Sequence, residues 1–370
     1  MKMHFTGDGR QSFDRVRYLW GALIKNYHVV SKSRRWRLPA PDCDVWFHDI
    51  EAQFPFAEHL KDPLQAFEGS LVFYRTDDRM DFPFDKIPDT LLSRARLFLA
   101  SHWRAEASAV PESLRDRWGY VNPILNPLSP RPGKRLRERR QSIVFYGVRT
   151  GGKNLPGDRN SREEAVRVLR GKGLPFEGGL VHGGENYENP EELLVPRMSK
   201  QAYLQRFDET SICLCLWGNC PLTYRLFEGL SRRNLVVSQT LSGLRFARAG
   251  LEAGVHYVEI AGDLSDMLDK LDYYLTDTDE AQRIADAGYE LFESNFAFRG
   301  LDFPQPLFDE IQRSWGGLLE PVRNPTLKAR TLGRVLPWIR NLPTDRPARK
   351  KVARKDDRSF LRKGERHRNE

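Results

Sequence analysis

The sequence predicts two α/β domains in tandem, each a Rossmann-like, doubly wound parallel sheet, which face a common cleft and are followed by a basic, disordered C-terminal tail. Three observations lead to this prediction. Short strand-like apolar runs alternate with longer connections in both halves of the chain. A passage rich in proline and charge separates the halves. The chain of 370 residues is long enough for two cores of ordinary size.

The first half, residues 1–125, is predicted to form one Rossmann-like domain. A short apolar run at the N-terminus ends in the glycine loop Gly7-Asp8-Gly9, and residues 11–26 follow with apolar side chains at helical spacing. Strands separated by connections of this length favour a parallel sheet covered by helices. Further strand-like runs, each bounded by proline, glycine or charge, cover residues 44–47, 70–74 and 97–100.

Residues 126–140 are predicted to link the domains, because prolines cluster there and the charged run 134–140 follows. The second domain, residues 141–296, repeats the alternation, and Ser161 is predicted to be the N-cap of a helix. Residues 297–320 are expected to form a helix that packs back on this domain, before the tail at 321–370. Strand-like runs lie at 142–146, 180–181, 211–217, 235–238 and 255–260. Helix-like segments begin at 161 and cover 199–207, 264–275 and 279–293, and a loop followed by a helix covers 219–232.

The positive charge of the chain is concentrated in its tail. The net charge is +9, yet residues 321–370 alone carry 16 lysines and arginines against 5 acidic residues, so the rest of the chain is close to neutral. Nucleic acid is therefore not the expected partner of the folded body. The tail itself could contact an anionic membrane surface, RNA or another polyanion, or be a solvated segment without a ligand.

Membrane-spanning and secreted proteins are disfavoured classes. No stretch of the sequence approaches the roughly 18 uncharged apolar residues of a spanning helix, and residues 1–10 lack an apolar signal core. The four cysteines show no metal-ligand spacing with histidine, and three lie in one apolar stretch, which is typical of reduced core residues. We therefore expect a cytoplasmic protein, and the basic tail could hold it at the inner membrane.

One glycine-rich loop is open to three interpretations. Residues 147–154 follow a predicted strand and match G-x-x-x-x-G-K, the phosphate loop of nucleoside triphosphatases. Asn154 replaces the Ser/Thr that holds Mg²⁺ there, and a Pro-Gly pair at 156–157 blocks a helix directly after the lysine. A phosphate-loop kinase and an ordinary exposed turn are the alternatives. The preferred interpretation is a phosphate site for another nucleotide, formed by Gly147, Arg149, Thr150 and Lys153.

A second motif begins where the predicted strand 211–217 ends. A loop that includes Asn219 leads into a helix near Thr223, and the free N–H groups of a helix start can bind phosphate. Arg225 in the first turn adds a fork of donors, and Glu228 lies on the same helix face, where its carboxylate could accept both hydroxyls of a ribose. Alternatively, Arg225 and Glu228 form a surface ion pair. The aromatic rings of Tyr224 and Trp217 could stack on a base or belong to the core.

Three strings of the second domain together form a known pattern: Phe145, Gly147, Arg149 and Thr150 as F-x-G-x-R-T, then Tyr224-Arg225-Leu226-Phe227, then Val255 to Val258 with Ile260 and Asp263 to Ser265. On these residues the segment 143–296 resembles the nucleotide-binding domain of GT-B glycosyltransferases. It is most similar to family 90, the capsule and protein O-glucosyl- and xylosyltransferase group. Phe227 and Glu259 stand where that family has lysine and proline, and Arg225 to Glu228 is similar to the R-x-F-E of family-1-like bacterial enzymes.

The resemblance implies a GT-B enzyme whose first domain binds the acceptor and whose second domain binds a UDP-sugar donor. It places Arg149 and Arg225 on the diphosphate and requires no metal and no cofactor. The expected reaction is an inverting transfer of a hexosyl or pentosyl unit to a hydroxyl of a glycan, lipid-linked or protein acceptor, in polysaccharide or glycoconjugate synthesis. The alternatives are a polyanion- or RNA-binding protein that acts through its tail, and the phosphate-loop kinase.

An inverting transferase also needs a general base for the acceptor hydroxyl. Asp77 and Asp78 follow the predicted strand 70–74, at a place where family 90 similarly carries its base, and either could serve. His48-Asp49, at the end of the preceding strand-like run, and Asp8 in the glycine loop are further options. A plain solvated turn is an equally simple interpretation of residues 77–78.

Overall fold

A computed structural model gives the structure of the chain. It describes residues 2–6, 30–31, 43–50, 58–75, 82, 84–100, 110–120, 131–149, 155, 160–182, 190–218, 221, 223–241 and 250–297. The expected helix at 297–320 and the tail at 321–370 lie outside these residues, apart from residue 297.

The first half of the chain forms a six-stranded sheet in the order β2-β1-β3-β4-β5-β6, and every pairing described in it is parallel. The predicted strands 44–47, 70–74 and 97–100 are all present, each with bounds that differ by up to two residues. The elements are β1 (Lys2–Thr6), β2 (Val30–Ser31), β3 (Val45–Asp49), α1 (Glu58–Ala66), β4 (Ser70–Arg75), α2 (Asp89–Arg94), β5 (Ala95–Ala100) and β6 (Trp118–Tyr120).

One face of this sheet is packed with aromatic rings. Trp46, Phe73 and Phe98 are fully buried on β3, β4 and β5, and the Phe73 and Phe98 rings stack with centroids 5.9 Å apart. His48 lies among them, edge-on to the Trp46 and Phe73 rings. Burial lowers the pKa of His48 to about 3, so the imidazole is neutral at physiological pH. This face is a hydrophobic core in which aromatic rings contact one another and pack with aliphatic side chains.

The second half forms a five-stranded parallel sheet in the order β11-β10-β9-β7-β8. Residues 131–139 lead into this sheet, and Leu136 is buried in its core. The elements are β7 (Arg140–Gly147), α3 (Ser161–Gly171), β8 (Phe176–Leu180), α4 (Lys200–Glu209), β9 (Thr210–Cys215), α5 (Tyr224–Ser231), β10 (Leu235–Gln239), β11 (Val258–Ile260), α6 (Met267–Thr276) and α7 (Thr278–Asn295).

Helices cover both faces of the second sheet. Alternate residues of β7 point to opposite faces, so that Phe145 joins a core cluster with α3, α6 and the first half of α7. Val144 joins the other cluster, with α4, α5 and the end of α7. Because both faces are covered, β9 and β10 are buried along their whole length, as is usual in a parallel sheet. The predicted α/β class with doubly wound parallel sheets is confirmed.

Two local predictions are wrong. The N-cap of α3 is Asn160 and not Ser161, because the Asn160 side chain accepts hydrogen bonds from the backbone N–H groups of Arg162 and Glu163. His256 lies in a turn and not on a strand. Its Nδ1 accepts a hydrogen bond from the Glu252 backbone N–H, and β11 starts only at Val258.

Among the helices that the structure describes, none has the length and apolar character needed to cross a bilayer.

Candidate functional site

The candidate site lies where the connections of the second sheet diverge. From β7 the chain crosses to β8 on one side, whereas from β9 it crosses to β10 on the other side. The chain therefore leaves the carboxyl ends of the neighbours β7 and β9 towards opposite sides of the sheet, the arrangement that opens a crevice in α/β folds. In open α/β sheets this switch point is where ligands bind. The two motifs singled out in the sequence follow β7 and β9, so both motifs lie at this crevice.

Arg225, in the first turn of α5, points its side chain at the carboxyl end of β7. It is 7% exposed, and its Nε and Nη2 donate hydrogen bonds to the carbonyl oxygen of Tyr146 over 3.0 and 2.6 Å. The guanidinium carbon lies 4.6 Å from the centroid of the Phe145 ring. The buried Nη1 has no hydrogen-bond partner within the described part of the chain. A buried guanidinium with an unused donor is costly unless a ligand accepts from it.

The start of α5 also leaves backbone groups without a side-chain cap. Thr223 has the extended backbone of an N-cap residue, but its side chain accepts no hydrogen bond from the first turn. The Thr223 hydroxyl instead lies 3.0 Å from the Sγ of Cys215, on β9 beneath the helix. Tyr224, the first residue of α5, is 41% exposed. The helix start thus offers N–H donors and one exposed aromatic ring at the crevice.

Glu228 is buried one turn further along α5. The hydroxyl of Tyr203, on α4, donates a hydrogen bond to its Oε2 over 2.7 Å. Burial raises the pKa of the Glu228 carboxyl, and the hydrogen bond from Tyr203 partly offsets this effect. Arg225 and Glu228 are both buried and bond to different partners, so among the described contacts they do not form the surface ion pair that the sequence left open.

The loop after β7 is held by the first turn of α3. Gly147 fits against Arg225, because a Cβ at this position would lie 2.9 Å from Arg225 Nη2. The Arg149 side chain makes an ion pair with Glu163 over 2.9 Å, and Asn160 Nδ2 donates to the Arg149 carbonyl oxygen. Arg149 and Arg225 therefore both lie at the carboxyl end of β7, although a carboxylate already engages Arg149.

Helix α3 starts too late for a phosphate loop of the triphosphatase type. In that loop the helix follows the lysine directly, so that its N-terminus faces the phosphates. Here Leu155 lies in a bend, and α3 begins at Ser161. The described residues thus lack a helix start next to Lys153, which argues against the kinase interpretation.

Some of the predicted site residues lie outside the described part of the chain. Gly147, Arg149, Thr223, Tyr224, Arg225 and Glu228 are brought together as described above. Predictions for the others are not addressed by the structure: Asp77, Asp78, Thr150, Lys153 and Asn219. Among the described residues, no group of three or more His, Cys, Asp or Glu side chains is arranged to hold a metal ion.

Sequence reasoning missed two residues of the site, Tyr203 and Arg162. Tyr203 is the hydrogen-bond partner of Glu228, and it is 25 positions away in the chain. Arg162, at the start of α3, is 6% exposed and contacts the loops after both β7 and β9. The sequence position of Arg162 does give one indication of its importance. A cation in the first turn of a helix interacts unfavourably with the helix dipole, so it needs a compensating partner.

Part of the chain is similar to a known sequence family, and its fold is similar to the folds of solved proteins. Residues 161–299 match a family model described as glycosyl transferase-like. No curated protein matches the chain significantly. A glycosyltransferase from Rickettsia africae ESF-5 has a similar fold, with a TM-score of 0.55 and 8% identity over 85% of this chain and 99% of that one.

Two further solved structures have similar folds. HepE of Anabaena, in complex with UDP and glucose, has a TM-score of 0.55 and 12% identity over 85% of this chain and 99% of that chain. Sucrose-phosphate synthase from Thermosynechococcus elongatus has a TM-score of 0.51 and 11% identity over 81% of this chain and 96% of its own. The chain thus has the GT-B glycosyltransferase fold. The narrower resemblance to family 90 stays a prediction.

Proposed function

We propose that this protein is a glycosyltransferase that moves a sugar from a UDP-sugar donor to a hydroxyl group of a glycan, lipid-linked or protein acceptor, in polysaccharide or glycoconjugate synthesis. The GT-B fold, the glycosyl transferase-like segment and a structural neighbour solved with UDP and glucose support the proposal. The observation that carries it is the buried Arg225 guanidinium, whose Nη1 has no described partner at the switch point between β7 and β9.

The proposed donor site uses the groups around α5. Arg225 Nη1 and the backbone N–H groups at the start of α5 bind the diphosphate, and Glu228 accepts hydrogen bonds from the ribose hydroxyls through the oxygen that Tyr203 does not use. The exposed Tyr224 ring stacks on the uracil. Arg149 adds a second cation, and Gly147, Thr150, Lys153, Asn219 and Thr223 complete the loops around the diphosphate.

The proposed reaction is a direct displacement that inverts the anomeric carbon. Asp77 or Asp78 takes the proton of the acceptor hydroxyl, the acceptor oxygen forms a bond to the anomeric carbon, and the bond from that carbon to the diphosphate oxygen breaks. Arg225 and the N-terminus of α5 stabilise the charge that develops on the departing UDP. In this proposal the fixed cations perform the role of a metal ion, and none is required.

Nucleotide binding tests the proposal directly. Calorimetric titrations with UDP, GDP and ADP are expected to show that UDP binds most tightly. Thermal-shift measurements should report the same order, because a ligand at 100 times its Kd stabilises the folded protein by about 2.7 kcal/mol. Arg225→Ala is expected to abolish UDP binding, since it removes the donor at the diphosphate. Arg225→Lys, which keeps the charge but loses the fork, should retain a small part of the affinity.

A second experiment, with the ligand 2′-deoxy-UDP and the variant Glu228→Gln, tests the site without relying on the folding of the Arg225 variants. Wild-type protein should bind UDP more tightly than 2′-deoxy-UDP, and Glu228→Gln, which preserves the shape of the side chain, should reduce that preference. Undiminished UDP binding or sugar transfer by folded Arg225→Ala would overturn the assignment of the donor site. If the folded wild-type protein bound none of the three nucleotides, the proposed function itself would be wrong.

A further inference from the structure

We propose that Arg162 is a positioning residue of the donor site, which sets the spacing between the two loops that hold the diphosphate. The inference rests on the proposed function, because it concerns how the same site is kept in shape. Arg162 lies at the start of α3, outside the motifs that predicted the site. Its described hydrogen bonds go to backbone carbonyl oxygens of the two loops.

The Arg162 side chain links the two loops that follow β7 and β9. Its Nη1 donates to the carbonyl oxygen of Val148 over 2.7 Å, just after β7. Its Nε donates to the Trp217 carbonyl oxygen over 2.8 Å and its Nη2 to that of Leu216 over 3.2 Å, both just after β9. One rigid, planar group thus fixes the distance between the carboxyl ends of two neighbouring strands.

The loop after β9 is shaped to fit this guanidinium. A Cβ on Gly218 would lie 2.8 Å from Arg162 Nη2, so the backbone passes directly over the charged group. The peptide between Leu216 and Trp217 is held from both sides, since its carbonyl oxygen accepts from Arg162 Nη2 and its N–H donates to Gln239 Oε1 over 3.1 Å. A shift of the Arg162 guanidinium would therefore move the carboxyl end of β9 and, through Val148, the loop after β7.

The charge of Arg162 has a role beside its shape. A positive charge in the first turn of α3 is unfavourable towards the helix dipole, and burial adds to this cost. Three carbonyl oxygens compensate the charge at the switch point. A buried cation behind both loops raises the electrostatic potential where a diphosphate would bind, and the surrounding low dielectric strengthens the effect. Arg162 thus both spaces the loops and favours an anion between them.

The same sheet contains a matched control at its opposite end. Arg139, just before β7, is 7% exposed and donates to the carbonyl oxygens of Lys134 and Arg232, each over 2.8 Å, and more weakly to those of Phe207 and Thr210. It joins the amino ends of β7 and β9 as Arg162 joins their carboxyl ends. Its loss should cost stability without changing the donor site.

The test compares Arg162→Lys with Arg139→Lys in the full-length protein. Both variants should lower the Tm, because lysine cannot donate to several carbonyl groups in fixed directions. We expect Arg162→Lys alone to weaken UDP binding and raise the donor KM by about tenfold, because it displaces the groups that bind the diphosphate; a tenfold change corresponds to about 1.4 kcal/mol of binding free energy. The KM for the acceptor should stay within about twofold of wild type in both variants.

Gly218→Ala serves as a second variant if Arg162→Lys does not fold. It keeps the arginine but pushes on Nη2, so it should reproduce the loss of UDP affinity. Unchanged UDP affinity in folded Arg162→Lys, or an equal loss in Arg139→Lys, would overturn the positioning role while leaving the proposed function intact. Absence of UDP binding by the wild-type protein would overturn both.

Discussion

Several arginines of this protein bind backbone carbonyl groups at the ends of strands and helices. The buried Arg139, Arg162 and Arg225 do so in the second sheet. The half-buried Arg117 donates to the carbonyl oxygens of Leu92, Ser93 and Ala95 in the first sheet. A guanidinium suits this role because it offers five N–H donors in one plane and remains charged at all accessible pH values. Arg225 differs from the other three in that its Nη1 is buried without a described partner.

Tyr203 should control the pH at which the donor site fails. Burial raises the pKa of Glu228 and the Tyr203 hydroxyl lowers it, so the carboxylate protonates as pH falls through a pKa above its usual value. A protonated carboxyl accepts hydrogen bonds from the ribose hydroxyls less well than a carboxylate does. The affinity for UDP should therefore fall as the pH drops below the pKa of Glu228. Tyr203→Phe should move this loss to higher pH. Calorimetric Kd values for UDP across the pH range measure the shift.

Glu228→Gln is the control for this assignment. Its side chain does not titrate, so its UDP affinity should not show the acid-side loss that belongs to Glu228. If UDP affinity fell at the same pH in Tyr203→Phe and in wild type, the role given to the tyrosine would be contradicted. The test therefore distinguishes tuning of the carboxyl from simple packing of α4 against α5.

At the level of elements, β8 depends on a glycine that no other residue can replace without strain. Gly178 has φ +135°, and a Cβ built on it would lie 1.7 Å from the carbonyl oxygen of Phe145 on β7. Gly178→Ala should therefore lower the free energy of unfolding by at least about 2 kcal/mol, because the strands must separate or distort. Urea denaturation of the variant measures the loss.

Gly171, the last residue of α3, provides the comparison. A Cβ there would meet no atom within 4 Å, and the residue has no positive φ, so Gly171→Ala should change stability by no more than about 1 kcal/mol. Equal stability of the two variants would show that β7 and β8 are not paired as described. The stability cost of replacing a glycine thus depends on its backbone conformation and on the space at its Cβ, and not on whether it lies in a helix or a strand.

The sequence predicted the elements with continuous apolar runs better than the others. Strands β7, β9 and β10 lie close to their predicted bounds, because each is a buried run that only a central strand of a parallel sheet explains. Strand β8 is predicted only as residues 180–181, because Gly178 and Gly179 in the strand lower its β-propensity. Helix α5 begins at Tyr224, well after residue 219, where the predicted loop-and-helix segment starts.

The candidate site shows a similar division. Gly147, Arg149, Arg225 and Glu228 follow strands in the sequence, and the rule that ligands bind at the carboxyl ends of parallel strands makes them predictable. The roles of Arg162 and Tyr203 depend on contacts with residues far away in the chain, so the sequence does not show which groups they bind. The position of Arg162 in the first turn of a helix indicates only that its charge needs a partner. Local periodicity carries no information about such contacts.

At the scale of the whole molecule, both sheets have the same kind of switch point. In the first sheet the connection from β1 leads to the edge strand β2, whereas β3 and the later strands lie on the other side of β1. The carboxyl ends of β1 and β3 are therefore the counterpart of those of β7 and β9. Asp49 ends β3 at this edge, so it remains an alternative to Asp77 and Asp78 for the general base. His48 does not suit that role, because it is buried among aromatic rings and burial lowers its pKa to about 3. Asp8, like Asp77 and Asp78, lies outside the described residues.

The tail is expected to be separable from nucleotide binding. A variant that ends at Leu319 removes the strongly basic segment 321–370 but keeps every described residue of the donor site. It should bind UDP within about twofold of the full chain and should lose binding to vesicles of anionic lipid at low salt. Vesicle sedimentation and calorimetry measure the two activities.

Vesicles of neutral lipid provide the control, since attraction by the tail depends on the negative surface potential. If ligand binding were lost with the tail, the polyanion-binding alternative would replace the enzyme. If anionic vesicles still bound the shortened chain, the tail would not be the membrane contact.

The two thiols beneath α5 make that helix observable without a ligand. Cys213 and Cys215 are fully buried on β9, in contact with the Arg225 carbonyl oxygen and the Thr223 hydroxyl, and burial raises the pKa of both. An alkylating reagent reaches them only when α5 lifts from the sheet. The rate of modification at these two positions, followed by mass spectrometry, thus reports how often the helix that carries Arg225 and Glu228 opens locally.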